Sequence, residues 1–175
     1  KQLKLGVSMS LPGVLEAEVA ELIVGMVPSA EMVRFGKNGT DATSAAIRLA
    51  RAYTGRDHIV VCGYHGWQDW YIGSTTRNKG VPESVSALTH KFEFNNIESL
   101  NSILNEFDGK IAAVILEPMN VVYPEPGFLE SVQEVTRKSG ALLIFDETIT
   151  GFRFAKGGAQ ELFGVTPDLS TFGKG

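Results

Sequence analysis

A single cysteine, Cys62, is the only thiol in these 175 residues, so no disulfide can close within the chain and no multi-cysteine metal site can be built. That usage fits a reducing compartment. Long apolar runs are missing as well: the best strings, Ile111–Leu116 and 141–145, are strand-length, far from the roughly 20 residues a membrane-spanning helix needs. The opening Lys1-Gln2-Leu3-Lys4 lacks the apolar stretch and small-residue cleavage site of a signal peptide. Positive charge is not in surplus. With 16 Lys+Arg against 20 Asp+Glu the net charge is −4 and the pI near 5.4, which argues against a nucleic-acid or membrane surface. Repeats, low-complexity segments and linkers are absent, and nothing marks a domain boundary. A soluble, cytoplasmic, folded chain is expected.

Hydrophobic spacing alternates between helices and short strands. Leu15, Val19, Leu22, Ile23 and Met26 recur at helical spacing between Pro12 and Pro28. A short strand is expected over 32–35, then an Ala-rich helix over 40–53 that stops at Thr54-Gly55. His58–Cys62 is a β-branched run and reads as a buried strand. Residues 66–92 show no period and read as a loop region with one short helix. Leu100, Ile103, Leu104 and Phe107 form a helical stripe capped by Asn95 or Asn96 and ended by Asp108-Gly109. Ile111–Leu116 is a strand. A helix carries Phe128, Leu129, Val132 and Val135, with Pro126 near its first turn and Gly140 past its end. Strands over 141–145 and Leu169–Phe172 complete the pattern. Strands apolar throughout, separated by amphipathic helices, predict an α/β fold: three layers with a mainly parallel sheet covered on both faces.

Function is carried by the residues just past each strand. Gly63-Tyr64-His65-Gly66 comes after the first, Glu117-Pro118-Met119-Asn120 after the next, Asp146-Glu147 after the third, and Gly173-Lys174 after the last. Ligands of open α/β sheets bind beyond the carboxyl ends of the strands, so one rim would receive an aromatic–imidazole pair, a carboxylate with an amide, a carboxylate pair and a lysine. Singly, each has an ordinary explanation: a turn acid, a core tyrosine, a structural histidine, a solvated lysine. Gly36-Lys37-Asn38-Gly39-Thr40-Asp41 adds a glycine-bearing entry to a helix, where unpaired N–H groups and the Thr40 hydroxyl could hold a phosphate. Taken alone, it reads as an ordinary helix capped by Asn38 or Thr40. It lacks both the P-loop and the dinucleotide-binding glycine patterns. A phosphate seat, an aromatic plate, a carboxylate and a lysine together suit pyridoxal phosphate, which needs a lysine for its Schiff base and an acid for its pyridine nitrogen.

The sequence resembles the class III (fold type I) PLP-dependent aminotransferases, most closely the glutamate-1-semialdehyde aminomutase-like group. The matching stretches are MVRFGKNGTDATSAAIRLARAYTGRD at 32–57, GYHGW at 63–67, ILEP at 115–118, GALLIFDETITGFR at 140–153 and GGAQELFGVTPDLSTFGKG at 157–175. The resemblance implies that Lys174 holds the cofactor as an internal aldimine and moves the proton, while Asp146 pairs with the pyridine nitrogen. It implies that Asn38, Gly39 and Thr40 cradle the phosphate, and that Tyr64 stacks on one ring face with His65 beside it. Glu117 matches the acid of the family's E-P motif, Asn120 the amide for the ring hydroxyl, and Thr148 the position against the other ring face. Asn38 stands where many relatives have Ser, and the 117–124 loop is shorter than in the aminomutases. The chain then reads as the large cofactor-binding domain, truncated at both ends and without the small domain. Its parent would be a homodimeric aminotransferase or aminomutase acting on small-molecule amino donors and acceptors, and the fragment alone would be inactive. The alternative is a catalytically inactive PLP-fold binding or assembly module.

Overall fold

A computed structural model describes Lys4, Gly6, Leu11 and residues 13–174 of the chain. The expected helix start at Pro12 and the residues 1–3 of the opening segment lie outside the described residues. Helix α1, Val14–Met26, ends before Pro28 as its spacing predicts. The 32–35 stretch is not a strand: it is irregular and mostly exposed, with no neighbouring strand to pair with. Helix α2, Gly39–Thr54, begins on Asn38, whose side chain accepts from Asp41 N, and ends on Gly55.

Five strands make the sheet: β1 His58–Cys62, β2 Thr89–Lys91, β3 Ile111–Leu116, β4 Leu142–Glu147 and β5 Leu169–Phe172. Every pairing is parallel, in the order β2-β1-β3-β4-β5. Parallel neighbours need long crossovers, supplied here by α3 Asp69–Ile72 with α4 Glu83–Ser86, by α5 Ile97–Glu106, by α6 Phe128–Ser139 and by α7 Ala159–Phe163. Thus the region expected to be loop with one helix holds two short helices and a strand, and α7 is an element the spacing does not announce. Of the two candidates, Asn96 caps α5.

Side chains alternate across each strand and so divide the core. Ile59, Val61, Ala113, Ile115 and Ile144 pack with Ala46, Ile47 and Ala50 of α2. Val60, Val114, Leu116, Leu143 and Phe145 pack with Leu100 and Leu104 of α5 and Leu129 and Val132 of α6. Helices therefore cover both faces, as the uninterrupted apolar strands require. At the amino ends of the strands, Arg56 Nη1 donates to Ile111 O and Ser139 O, tying β3 to the end of α6.

The same end holds a histidine pair. His58 Nδ1 lies 2.8 Å from His90 Nε2, the rings stack, and Phe107 covers His90. One nitrogen must donate and the other accept, so at least one ring is neutral. Burial lowers the His58 pKa, aided by Lys110 and Arg51 and opposed by Asp57. Burial, then His58, lowers that of His90 against the pull of Glu106. A depressed histidine pKa contributes stability above the unfolded value of about 6.5, and that stability is lost as pH falls through the folded pKa. Amide-exchange protection along β1 and β2 in the full-length protein should therefore drop between about pH 7.5 and about pH 5, and His90→Gln should flatten the drop. Unchanged protection in the wild type, after correction for intrinsic exchange, would contradict this.

Candidate active site

The carboxyl ends of β1, β3, β4 and β5 open, with the start of α2, onto one cavity of about 320 Å³. Asn38, Gly39, Thr40, Tyr64, His65, Glu117, Asp146, Thr148 and Lys174 all line it. The order of strands reverses between β1 and β3, the kind of crevice in which open α/β sheets place ligands.

At one end lies the first turn of α2. The N–H groups of Gly39 and Thr40 have no carbonyl within the helix to bond. Asn38 Oδ1 accepts from Asp41 N at 3.0 Å, leaving its Nδ2 to donate elsewhere. Thr40 Oγ1 accepts from Trp67 N at 3.2 Å, and its own proton remains to donate. Backbones approach closely here. A Cβ on Gly39 would lie 3.2 Å from Thr148 Cγ2, and one on Gly66, whose φ is +100°, would collide with Thr40 Oγ1. Only glycine meets both demands at Gly66.

Asp146 forms the floor and is 3% exposed. Its Oδ1 accepts from Thr148 N at 3.2 Å, Thr148 Oγ1 at 2.6 Å and Thr171 Oγ1 at 3.0 Å. Its Oδ2 meets His65 Nδ1 at 2.8 Å, while His65 Nε2 meets Cys62 O at 3.1 Å. Carbonyl and carboxylate oxygens only accept, so each ring nitrogen of His65 faces an acceptor. Burial pushes the Asp146 carboxyl up, but the His65 bond and charge and the two Thr148 bonds outweigh it and hold the group below the usual carboxylate range. Asp146 is therefore an anion at neutral pH with Oδ2 less occupied than Oδ1.

Two paired expectations separate in space. Asp146 and Glu147 both belong to β4 rather than lying beyond it, so they point to opposite sides. Glu147 leaves the cavity and accepts from Thr150 Oγ1, Ala159 N, Gln160 N and Gln160 Nε2, fixing the start of α7. Glu117 lines the cavity and accepts from Tyr64 N at 2.9 Å, whereas the exposed Asn120 does not line it and donates to Glu117 Oε2 at 3.0 Å. Tyr64 is 57% exposed and stands edge-on to the buried Tyr71, whose hydroxyl donates to Gly63 O and whose pKa is pushed up to about 12 by burial and then Glu117. Burial and Glu117 likewise push Cys62 up to about 12, which leaves it an inert thiol. Sequence reasoning missed Thr171 and Thr43. Thr171 faces Asp146 in the β4–β5 register, and Thr43 Oγ1 holds His65 O at 3.0 Å.

The sequence model of the family described as aminotransferase class-III matches residues 6–175. The chain belongs to the class-III aminotransferases. Glutamate-1-semialdehyde 2,1-aminomutase of Syntrophobacter fumaroxidans is 47% identical over 97% of this chain and 42% of its own length. Among solved structures, an omega-transaminase from Sphaerobacter thermophilus superposes with a TM-score of 0.89 at 36% identity, over 99% of this chain and 44% of that one. The FumI protein of Sphingopyxis sp. MTA144, solved in its PLP internal aldimine form, gives 0.90 at 35% identity over 99% and 43%. The chain thus spans less than half the length of the relatives it matches, and its parallel α/β sheet is part of their fold. The non-catalytic alternative finds no support among these relatives, of which the aminomutase and the omega-transaminase are named for enzymatic activities.

Proposed function

We propose that the full-length protein transfers amino groups with pyridoxal phosphate held at Lys174, and that this chain is its large cofactor-binding domain. The observation that carries the reading is one cavity containing the open first turn of α2, an anionic buried Asp146 and Lys174. Its volume lies at the low end of the roughly 300–1,000 Å³ of small-molecule pockets, which suits a single substituted ring and a phosphate. When bound, the cofactor supplies an aldehyde carbon that takes up the substrate amine and a pyridinium ring that takes up negative charge. The N–H groups of Gly39 and Thr40, Thr40 Oγ1 and Asn38 Nδ2 bind the phosphate. Asp146 Oδ2 holds the proton on the ring nitrogen, supported by His65. Tyr64 and Thr148 confine the ring, and Glu117, braced by Asn120, fixes the Tyr64 backbone. Lys174 Nζ would hold the cofactor and would take the proton from the substrate carbon. In balance, the donor's amine becomes a carbonyl while the acceptor's carbonyl becomes an amine.

The 47% identity to an aminomutase favours a second form of this reaction, in which one molecule is both donor and acceptor. A requirement for an added amino donor separates the two. Apolar side chains exposed along α1, Val14, Leu15, Val19 and Leu22, support a homodimer, in which association would bury them. The lone, buried, unpaired Cys62 supports a cytoplasmic setting. Borohydride reduction of the full-length protein loaded with pyridoxal phosphate, then peptide mapping, should place the pyridoxyl label on Lys174. A label on any other lysine would overturn the assignment.

A further inference from the structure

Lys174 is exposed, and the ion pairs among the described residues, His65–Asp146 and Glu134–Lys138, leave its ammonium without a carboxylate of its own. Where the amine sits is therefore decided by the backbone that carries it. That backbone continues β5, which among the described strands pairs with β4 alone, from Ile144–Leu169 to Glu147–Phe172. A four-residue strand bonded along one edge has few ladder bonds, so side-chain bonds decide how firmly its end is placed.

Such bonds are present. Just before β5, Asp168 Oδ2 accepts from Leu143 N at 2.8 Å, and on the cavity face Thr171 donates to Asp146. On the opposite face lies a buried polar network that the cofactor chemistry does not touch. Gln160 of α7 is 1% exposed, and its Nε2 donates to Glu147 Oε1 of β4 and to Ser170 Oγ of β5, each at 3.0 Å. Its Oε1 accepts from Ser29 N at 2.8 Å, and Ser170 Oγ also meets Ser29 Oγ at 2.8 Å. Both amide protons are committed. Turning the amide over would set its oxygen against the Glu147 carboxylate and its NH₂ against the Ser29 N–H, so one orientation is dictated.

Packing alone does not ask for this. Glutamine is mostly a surface residue, and Glu147, 1% exposed, has no cation among the described ion pairs. Burying an amide beside such a carboxylate costs free energy unless every hydrogen bond is made, and what a fully bonded network returns is one rigid geometry. We propose that Gln160 is a positioning residue for Lys174: by joining Glu147 to Ser170 across the β4–β5 pair, it fixes where β5 delivers the amine. The inference rests on the reading of Lys174 as the cofactor's anchor. Glu147 follows Asp146 in β4 and Ser170 precedes Thr171 in β5, so the bridge sets the spacing of ring-nitrogen acid and amine from behind the sheet.

The test uses the full-length protein stripped of cofactor, and two probes. Pyridoxine 5′-phosphate has an alcohol where the aldehyde would be, so its affinity reads the phosphate seat and Asp146 without Lys174. Saturating pyridoxal phosphate, quenched with borohydride at successive times, reads how fast the amine is captured. Gln160→Leu removes three hydrogen bonds at little change in bulk. It should slow labelling of Lys174 about tenfold, within the roughly hundredfold that misplacing a reacting group by about 1 Å can cost. Ser170→Ala keeps the rest of the network, and so the fold, and should slow labelling about threefold, with affinity for pyridoxine 5′-phosphate unchanged. Ser170→Thr, which keeps the hydroxyl, should restore the rate. Labelling at the wild-type rate in either Gln160→Leu or Ser170→Ala overturns the proposal. So does no recovery in Ser170→Thr, or a loss of pyridoxine 5′-phosphate affinity in Ser170→Ala as large as its loss of labelling rate. A wild-type protein that takes no label on Lys174 fails the cofactor reading instead, so the two failures are distinct.

Discussion

Lys174→Ala in the full-length protein is expected to abolish turnover while leaving pyridoxal phosphate bound. Two losses combine at one atom. Nζ is the proposed covalent anchor and also the proposed base that takes the proton from the substrate carbon. Proton transfer by a positioned side chain is worth about 10²–10⁴-fold on its own, and the loss of the anchor adds to it. The proposed phosphate seat at Asn38, Gly39 and Thr40 lies at the start of α2 and not on β5, so the cofactor should still copurify or rebind. Lys174→Arg should not rescue, because a guanidinium stays protonated and cannot act as the nucleophile. Added methylamine should restore part of the rate by standing in for the missing amine. Turnover within about tenfold of wild type would remove Lys174 from the chemistry.

Asp146 is the second large effect, and here a graded series is available. Asp146→Ala should lower kcat by about 10²–10³-fold, the scale for removing a preorganised electrostatic partner, with little change in phosphate binding. It should also destabilise the fold by about 1–3 kcal/mol, because His65 Nδ1 and Thr171 Oγ1 would be left buried without their acceptor. Asp146 sits below the usual carboxylate range, so its contribution to stability is present at neutral pH and is lost as pH falls through the lowered pKa. Thr171→Val keeps the charge and removes one of three donors to Oδ1, for an expected loss of about tenfold. Thr171→Ser should recover it. The informative readout is the pH titration of the bound cofactor's absorbance, which a purely structural role for Thr171 would not move. Activity equal to wild type in Asp146→Ala would refute the site.

The amino-acid pattern carried strands bounded by turn residues, buried throughout in β3, largely in β1 and only at Thr171 in β5. β1, β3 and β5 begin and end as expected, because Asp57, Gly63, Gly109 and Gly173 punctuate them. β2 was not legible, since Thr89-His90-Lys91 is polar, three residues long and a strand only by its pairing with β1. The 32–35 stretch has strand-like residues and no partner, so it stays irregular. α7 depends on the Glu147 carboxylate capping it from 12 residues away, which no local pattern announces. The gathering of Asn38, Gly39, Thr40, Tyr64, His65, Glu117, Asp146, Thr148 and Lys174 at one cavity could be anticipated from the rule that strand carboxyl ends make the rim. The split of Asp146 from Glu147 comes from strand alternation once β4 is known to run through both. Thr171 becomes a site residue only through the β4–β5 register, Asp146 against Thr171, a relation between distant segments.

The cavity is closed by residues far apart along the chain: Gly39 and Lys174 are 174 − 39 = 135 positions apart. At about 5–20 residues per second of synthesis, roughly 7–27 s pass on the ribosome between the phosphate seat and the anchoring amine. All four strand pairings are parallel and non-local, an arrangement that assembles slowly because distant segments must meet before contacts compensate for lost chain entropy. Ligand binding adds about 2.7 kcal/mol of stability at a hundredfold excess over Kd, and that increment becomes available in full only when β5 has docked beside β4. Under the proposed function, newly made full-length chains that bind the cofactor are expected to resist degradation longer than those that do not.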